Sequence, residues 1–193
     1  MGLIVLNKKK NTSIAVWKIT ESLNEINTYF QNQTIKKFKS EKRQLEFLCT
    51  KLLIQKINRN LKITYNTNGA PELNNNQFIS ISHTKKLIAI IISDKKSGID
   101  IELISDKALK IKSKFLSEND KLELNQEEST LAWCAKESIY KWYQKRNINF
   151  KQDIKILNIL KSPSNKIHVD FKNESIILDY LKINNHFLVY VCK

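Results

Sequence analysis

The spacing of apolar residues along the chain predicts a mixture of strands and helices. Successive side chains of a strand point to opposite faces, so alternating apolar residues are typical of a half-buried strand. Residues 87–92 are apolar at every position, which is typical of a strand buried on both faces. The other predicted strands are 3–6, 13–19, 78–82, 98–102, 154–159, 167–171, 175–183 and 186–191.

Apolar residues that recur every three or four positions predict helices. These helices are 21–30, one that begins after Ser40 and ends at 57, a short one that ends at 114, and 127–145. Residues suited to cap their first turns are Thr20, Ser40, and either Ser105 or Asp106. Ser117 and Asp120 have the spacing of one more cap, before Leu122 and Leu124.

The longest predicted helix, 127–145, has two distinct faces. Trp133, Glu137 and Lys141 follow one another at intervals of four and therefore share one face. A different face carries the apolar stripe Leu131, Ala135, Ile139 and Trp142. Glu137 is thus predicted to lie off the main core stripe.

The order of these elements predicts an α+β protein built from two similar α/β halves. Both halves run from extended segments through a helix and back to strands. The turn-forming sequence DKKSG at 94–98 is the best candidate for the junction. We therefore predict an N-terminal half over 1–97 and a C-terminal half over 98–193.

Charge is the unusual feature of the composition. The chain has 33 Lys and Arg against 19 Asp and Glu, a net charge of +14. Residues 1–98 hold 17 basic and 6 acidic side chains, a net +11, so an anionic ligand is expected mainly on the first half. A positive charge of this size suits several anionic partners: nucleic acid, a phosphorylated ligand, an acidic protein or a membrane surface.

The cysteine spacing and the lengths of the apolar runs narrow the classes of protein that this chain could belong to. The three cysteines are far apart, without the paired spacing of a disulfide framework or zinc ribbon. The longest apolar run has six residues, too few to span a bilayer, and the N-terminus lacks the order of a signal peptide. We expect a soluble cytoplasmic protein with no membrane association.

The segment GIDIE at 98–102 carries the candidate chemistry. Asp100 and Glu102 share one strand face, about 7 Å apart, while Ile99 and Ile101 are expected to face the core. Carboxylate oxygens are hard ligands of the kind that Mg²⁺ prefers, and Glu137 is a candidate third ligand. The alternative is that both acids face water on a half-exposed strand, and that the helix residues are an ordinary solvated face.

Three segments together resemble a known family. ISISHT (79–84), GIDIE (98–102) and WCAKESIYK (133–141) are similar, in order and spacing, to the motifs of the 4'-phosphopantetheinyl transferases, specifically the longer, pseudo-dimeric type that activates synthase carrier domains. The resemblance implies two similar halves in a pseudo-two-fold arrangement, with the active site in the cleft between them. It also implies Mg²⁺ as cofactor and coenzyme A as co-substrate.

The resemblance assigns roles to residues of the second and third motifs. Asp100, Glu102 and Glu137 would ligate Mg²⁺, and the serine hydroxyl of an apo carrier protein would attack the phosphorus that bears pantetheine. The products are holo carrier protein and 3',5'-ADP. Glu137 or a metal-held water would accept the proton, and Lys141 would meet a phosphate or the departing oxygen. Lys136 matches the motif's other lysine.

Coenzyme A contacts are implied in the first half as well. The chain has Gly69-Ala70-Pro71 where the family often has Gly-Lys-Pro, so either binding is weaker or another cation compensates. Lys85, Lys86 and the cations of 36–42 are candidates for that compensation. The implied coenzyme A-binding set is Arg43, Lys51, Gly69, Pro71, Ser82, His83, Lys136 and Lys141.

The resemblance also gives the positive charge a purpose. Coenzyme A carries several phosphate charges and carrier proteins are usually acidic, so a basic surface favours both encounters. A monomer is expected, with no nucleic acid partner. Two alternatives are a basic nucleic-acid-binding module, which has no need of three acids, and a Mg²⁺-dependent nuclease or phosphohydrolase, which leaves the Ser-His and Trp-x-x-Lys-Glu segments unexplained.

Overall fold

A computed structural model describes residues 2–31, 38–67, 69–120, 122–123, 125–145 and 147–193. Its helices and sheets give the predicted α+β class. Contacts between Cα atoms divide the chain into two compact units, Met1–Lys95 and Lys96–Lys193. The boundary falls two residues before the predicted one. In the described ranges, no helix combines the length and apolar character needed to cross a membrane.

The first unit contains an antiparallel four-stranded sheet in the order β1-β2-β6-β5. Helix α2 packs on β2 and β6 and buries Leu48, Leu52 and Leu53. Every residue of β6 is buried, as its uninterrupted apolar sequence predicts. The elements of this unit are β1 (Leu3–Lys9), β2 (Thr12–Lys18), α1 (Leu23–Asn27), a 3-10 turn (Thr28–Phe30), α2 (Glu41–Ile57), β3 (Ile63–Tyr65), β4 (Pro71–Leu73), β5 (Phe78–Thr84) and β6 (Leu87–Ser93).

The start of α1 differs from the prediction. Ser22, rather than Thr20, is the N-cap, because its hydroxyl accepts from the Glu25 N–H while the Glu25 carboxylate accepts from the Ser22 N–H at 2.7 Å. This reciprocal capping box satisfies two donors at the helix start. The Thr20 N–H donates instead to the side chain of Glu21.

The second unit contains an antiparallel five-stranded sheet in the order β7-β11-β10-β9-β8, and α4 packs on β7 and β11. The side-chain oxygen of Asn125 caps α4. The helix ends at Tyr143, two residues before the predicted end, and Gln144 after it adopts the left-handed conformation. The elements of this unit are β7 (Ser97–Leu103), α3 (Asp106–Lys110), a 3-10 turn (Lys112–Lys114), α4 (Gln126–Tyr143), β8 (Ile154–Leu160), β9 (Lys166–Phe171), β10 (Glu174–Ile183) and β11 (His186–Cys192).

Gly98 allows α4 to lie close against β7. A Cβ at this position would overlap the Ser138 carbonyl oxygen and come within 2.6 Å of the Trp142 backbone nitrogen. Only glycine therefore permits this approach. One turn of α4 is also fixed to the sheet, because the Ser138 hydroxyl donates to the Val189 carbonyl at 2.9 Å.

Asp120 is part of a buried ion pair and not the cap of a helix. The Ser117 N–H does donate to its carboxylate at 2.6 Å, but residues 122 and 123 are not helical, so the predicted cap is wrong there. Leu124 lies outside the described residues. Lys136 Nζ lies 2.9 Å from Asp120 Oδ1, and the side chains are 0% and 1% exposed.

The surroundings of Lys136 give it a structural role in place of the predicted contact with coenzyme A. Its ammonium also donates to the carbonyls of Phe150, at 2.9 Å, and Ile154, at 2.6 Å. An ammonium has three N–H donors, so Asp120 and the two carbonyls account for all of them. Lys136 ties α4 to the segment that leads into β8.

We expect Gly98→Ala to destabilise the protein by about 1–3 kcal/mol or more, because an overpacked contact forces backbone displacement. Urea unfolding followed by circular dichroism measures this change. Leu103→Ala, at the exposed end of the same strand, serves as the control and should change the free energy of unfolding by less than about 1 kcal/mol. Equal unfolding midpoints for Gly98→Ala and wild type would contradict the close approach.

Lys136→Met should destabilise the protein by about 3–5 kcal/mol, because it leaves the buried Asp120 carboxylate without its cation. The free energy of unfolding in urea is the measurement. Lys182→Met removes an exposed ion pair with Glu127 and should cost less than about 1 kcal/mol. A Lys136→Met protein of wild-type stability with weaker coenzyme A binding would restore the ligand role.

Candidate active site

Asp100 and Glu102 lie on the face of β7 that α4 covers. Their register partners on β11 are Val189 and Phe187, which belong to the buried apolar cluster of the second unit. Residues opposite each other in a register share a face. Ile99 and Ile101 lie on the opposite face of β7 and are both 0% exposed, which confirms the prediction that they are core residues.

Asp100 is almost completely enclosed. It is 4% exposed, and Lys141 Nζ donates to its Oδ1 at 2.7 Å. The alternative in which this acid faces water on a half-exposed strand is therefore wrong. The Lys141 side chain keeps 26% of its surface exposed, so this ion pair borders solvent.

Glu102 is half-buried and is held from the same helix. The indole Nε1–H of Trp133 donates to Glu102 Oε1 at 3.2 Å. Trp133 and Lys141, two turns apart on α4, therefore each bond one of the two acids of β7. The helix face predicted from the spacing of these residues is the face that meets the acids.

Glu137 lies between Trp133 and Lys141 on α4, and its environment disfavours its charged form. Burial, followed by the negative charge of Asp100, raises the pKa of Glu137 to about 7, while Lys141 opposes the rise. Burial and the charge of Asp100 also raise the pKa of Glu102. The three carboxylates therefore act on one another electrostatically.

The chemistry of these three donors suits Mg²⁺. Three mutually repelling carboxylates supply hard oxygen ligands, and a divalent cation would relieve their repulsion. Over the described ranges, no three His, Cys, Asp or Glu side chains already stand in a metal-binding arrangement. Magnesium commonly completes its shell with waters and substrate phosphates beside one or two carboxylates.

Two residues close to the acids were not predicted from the sequence to belong to the site. Lys107, in the first turn of α3, lines a pocket beside Glu102, and its positive charge partly opposes the rise in pKa that burial causes at Glu102 and Glu137. Cys134 is buried, and burial together with the charge of Asp100 raises the pKa of its thiol well above the usual range. Neither residue belongs to a sequence pattern that would have marked it as part of the site.

The candidate coenzyme A ligands of the first unit lie on three elements. Arg43 is exposed near the start of α2, and Lys51 lies two turns further along with its ammonium 5.3 Å from the ring centre of Phe30. Ser82 is buried and His83 is exposed near the end of β5. The remaining two are Gly69 and Pro71.

Gly69 and Pro71 belong to the β3–β4 hairpin. Gly69 has a φ of +79°, a value that suits glycine, and its N–H donates to the Asn66 carbonyl at 2.9 Å. Pro71 opens β4 opposite Tyr65. Among the cations proposed to compensate for Ala70, Lys36 and Lys37 lie outside the described residues.

Comparison with known proteins identifies the second unit. Residues 96–191 match the 4'-phosphopantetheinyl transferase superfamily. The chain is also 34% identical over 106 residues to the 4'-phosphopantetheinyl transferase gsp of Aneurinibacillus migulanus, an alignment that covers 50% of this chain and 45% of that protein. The strand that carries the acids and the helix that covers it lie inside the matched region, and the chain belongs to the 4'-phosphopantetheinyl transferase superfamily.

Proposed function

We propose that this protein transfers the 4'-phosphopantetheine group from coenzyme A to a serine hydroxyl of an apo carrier protein, with Mg²⁺ as cofactor and 3',5'-ADP as the second product. The observation that carries the proposal is the meeting of Asp100 and Glu102 on β7 with Glu137 and Lys141 on α4. All four residues lie inside the region that matches the superfamily.

Asp100, Glu102 and Glu137 would hold the Mg²⁺ ion. When bound, the ion supplies positive charge that neutralises the diphosphate as the phosphorus–oxygen bond to the ADP group breaks. The observation in favour of these ligands is that burial, and after it the negative charge of Asp100, raises the pKa of both glutamates.

Glu137 is the proposed acceptor of the serine proton. Both oxygens of a carboxylate accept hydrogen bonds, so one can hold a cation while the other receives the proton from the attacking hydroxyl. Glu137 is half-buried on the turn of α4 between Trp133 and Lys141, and α4 packs against β7. General-base catalysis of this kind accelerates a reaction by about 10²–10⁴-fold.

Lys141 is the proposed partner of the phosphate or of the departing oxygen. Its ammonium bonds Asp100, and its side chain is partly exposed. A cation at this position can leave that carboxylate for a phosphate oxygen, or bond both at once, since both are anionic acceptors. Lys141 would therefore stabilise negative charge where the leaving group develops it.

Arg43, Lys51, Gly69, Pro71, Ser82 and His83 are the proposed coenzyme A contacts of the first unit. The net charge of +11 over residues 1–98 supports an anionic ligand there. The rings of Phe30 and Phe47, 5.3 and 5.9 Å from the Lys51 ammonium, help to fix that cation in position.

The partner and the subtype belong to the same proposal. A net charge of +14 favours an acidic apo carrier protein. We assign the chain to the longer, pseudo-dimeric type, in which two similar halves in one chain enclose the active site and a monomer is sufficient. We also propose a cytoplasmic location.

The decisive assay incubates the protein with coenzyme A and an apo carrier protein, with and without Mg²⁺. Mass spectrometry of the carrier should show one phosphopantetheine added to serine only when Mg²⁺ is present. Coenzyme A cleaved without modification of the carrier would favour the phosphohydrolase alternative. No modification of apo acyl, polyketide and peptidyl carriers would overturn the proposal.

Glu137→Gln should lower the rate of transfer by about 10²-fold or more, because the amide neither accepts the serine proton nor ligates a cation as an anion. The initial rate of holo carrier formation is the measurement, with circular dichroism as the test of folding. Glu127→Gln changes an exposed residue of the same helix and should leave the rate unchanged. Retained transfer in Glu137→Gln would remove this residue from the mechanism.

His83→Ala should raise the KM for coenzyme A by about tenfold, since a hydrogen bond to a charged phosphate contributes about 1.5 kcal/mol or more. The rate at saturating coenzyme A should change much less. His168→Ala, on β9 of the second unit, is the matched control. A loss of rate at saturation with an unchanged KM would contradict the role of His83 in binding.

A further inference from the structure

The hydrogen bond between Trp133 and Glu102 has no part in the transfer steps described above. It joins α4 to β7 through the single N–H donor of the indole and Oε1 of the carboxylate, at 3.2 Å. Lys141 and Asp100 make a second hydrogen bond between these two elements. Each of the two acids of β7 therefore accepts a hydrogen bond from a side chain of α4.

The Trp133 ring is itself fixed by its neighbours. The Phe115 ring lies edge-on at a centroid distance of 5.0 Å, and Phe115 is 1% exposed. The Phe150 ring lies at 5.9 Å. A phenylalanine at 133 would keep most of these ring contacts, so the packing alone has no need of the N–H.

Glu102 is the acid of this pair for which such a bond matters most. A glutamate side chain has one more rotatable bond than an aspartate and loses up to about 2 kcal/mol of rotamer entropy when it is fixed. A hydrogen bond to Oε1 restricts that freedom and leaves Oε2 as a ligand oxygen. Partners that orient ligating carboxylates in this way typically change metal affinity by about 10–100-fold when mutated.

We propose that Trp133 is a positioning residue for the metal centre, which holds Glu102 through its indole N–H so that the carboxylate is oriented for a divalent cation. The proposal rests on the proposed function, because it needs Glu102 to be a metal ligand. It accounts for a tryptophan at a position where another aromatic residue would fill the same space.

Mn²⁺ is the probe, because oxygen sites that suit Mg²⁺ also suit Mn²⁺, which electron paramagnetic resonance detects directly. Mn²⁺ is titrated onto the protein without coenzyme A or carrier. Trp133→Phe should weaken binding by about tenfold. Trp142→Phe makes the same chemical change on the same helix, away from the Glu102 bond, and should leave the affinity unchanged.

A double-mutant comparison separates positioning from a general structural effect. In a Glu102→Gln background the Trp133→Phe change should have little further effect on Mn²⁺ affinity, since the ligand that it positions is gone. An equal loss in both backgrounds, or no loss in either, overturns the role of Trp133. Failure of the wild-type protein to bind Mn²⁺ overturns the metal centre itself, and the positioning role with it.

A second measurement serves if Trp133→Phe does not fold. In ¹⁵N-labelled protein the indole N–H signals of Trp17 and Trp142 are assigned by their Phe variants, which leaves the signal of Trp133. The Glu102→Gln substitution should shift that signal. Saturating Mg²⁺, free of Mn²⁺, should shift it as well, because both changes alter the carboxylate that accepts the indole hydrogen bond. A signal that responds to neither overturns the proposal, whether or not the protein transfers phosphopantetheine.

Discussion

The close packing of α4 on β7 at Gly98 is the constraint on which the candidate active site depends. With a side chain at this position the helix would have to move away from the strand. The donors of α4 would then move away from Asp100 and Glu102, whose hydrogen bonds to Lys141 and Trp133 are 2.7 and 3.2 Å long. A glycine two residues before the first acid thus allows the acids to be reached.

Two lysines of α4 show how one helix can support both structure and chemistry. Lys136 and Lys141 are five positions apart, so they point about 140° away from each other around the helix axis. Lys136 is enclosed with Asp120 inside the unit, whereas Lys141, which pairs with Asp100, keeps 26% of its side chain exposed. A fully enclosed pair cannot exchange its partner for a ligand, but a partly exposed one can. The sequence motif contains both lysines and does not distinguish them.

Much of the fold could be predicted from the sequence because its elements are strongly patterned. The strands of the second unit and helices α2 and α4 lie within a few residues of the expected bounds. The errors concern choices that depend on tertiary contacts. Ser117 and Asp120 have the spacing of a helix cap, yet the Asp120 carboxylate binds Lys136 and the N–H of Ile156.

The candidate site was predictable in its residues but not in its setting. Alternation showed that Asp100 and Glu102 share a face, and spacing showed that Trp133, Glu137 and Lys141 share another. Neither pattern could show that these two faces meet, because the sequence of a polar strand face is the same whether water or a polar helix face covers it. The covering helix encloses the acids, and their enclosure raises the pKa of both glutamates.

The two units carry different parts of the proposed reaction. The region that matches the superfamily, residues 96–191, contains all three acids and Lys141, so the support for phosphoryl transfer lies in the second unit. The support for binding an anionic substrate lies in the excess of cations over residues 1–98 and in the Ser82-His83 pair. Ala70 stands where the family often has a lysine, so under the proposed function coenzyme A would either bind more weakly or be held by charge spread over several other side chains. Distributed charge of this kind is screened by salt more readily than the enclosed contacts of the acids, and substrate binding should therefore depend on ionic strength more strongly than the chemical step.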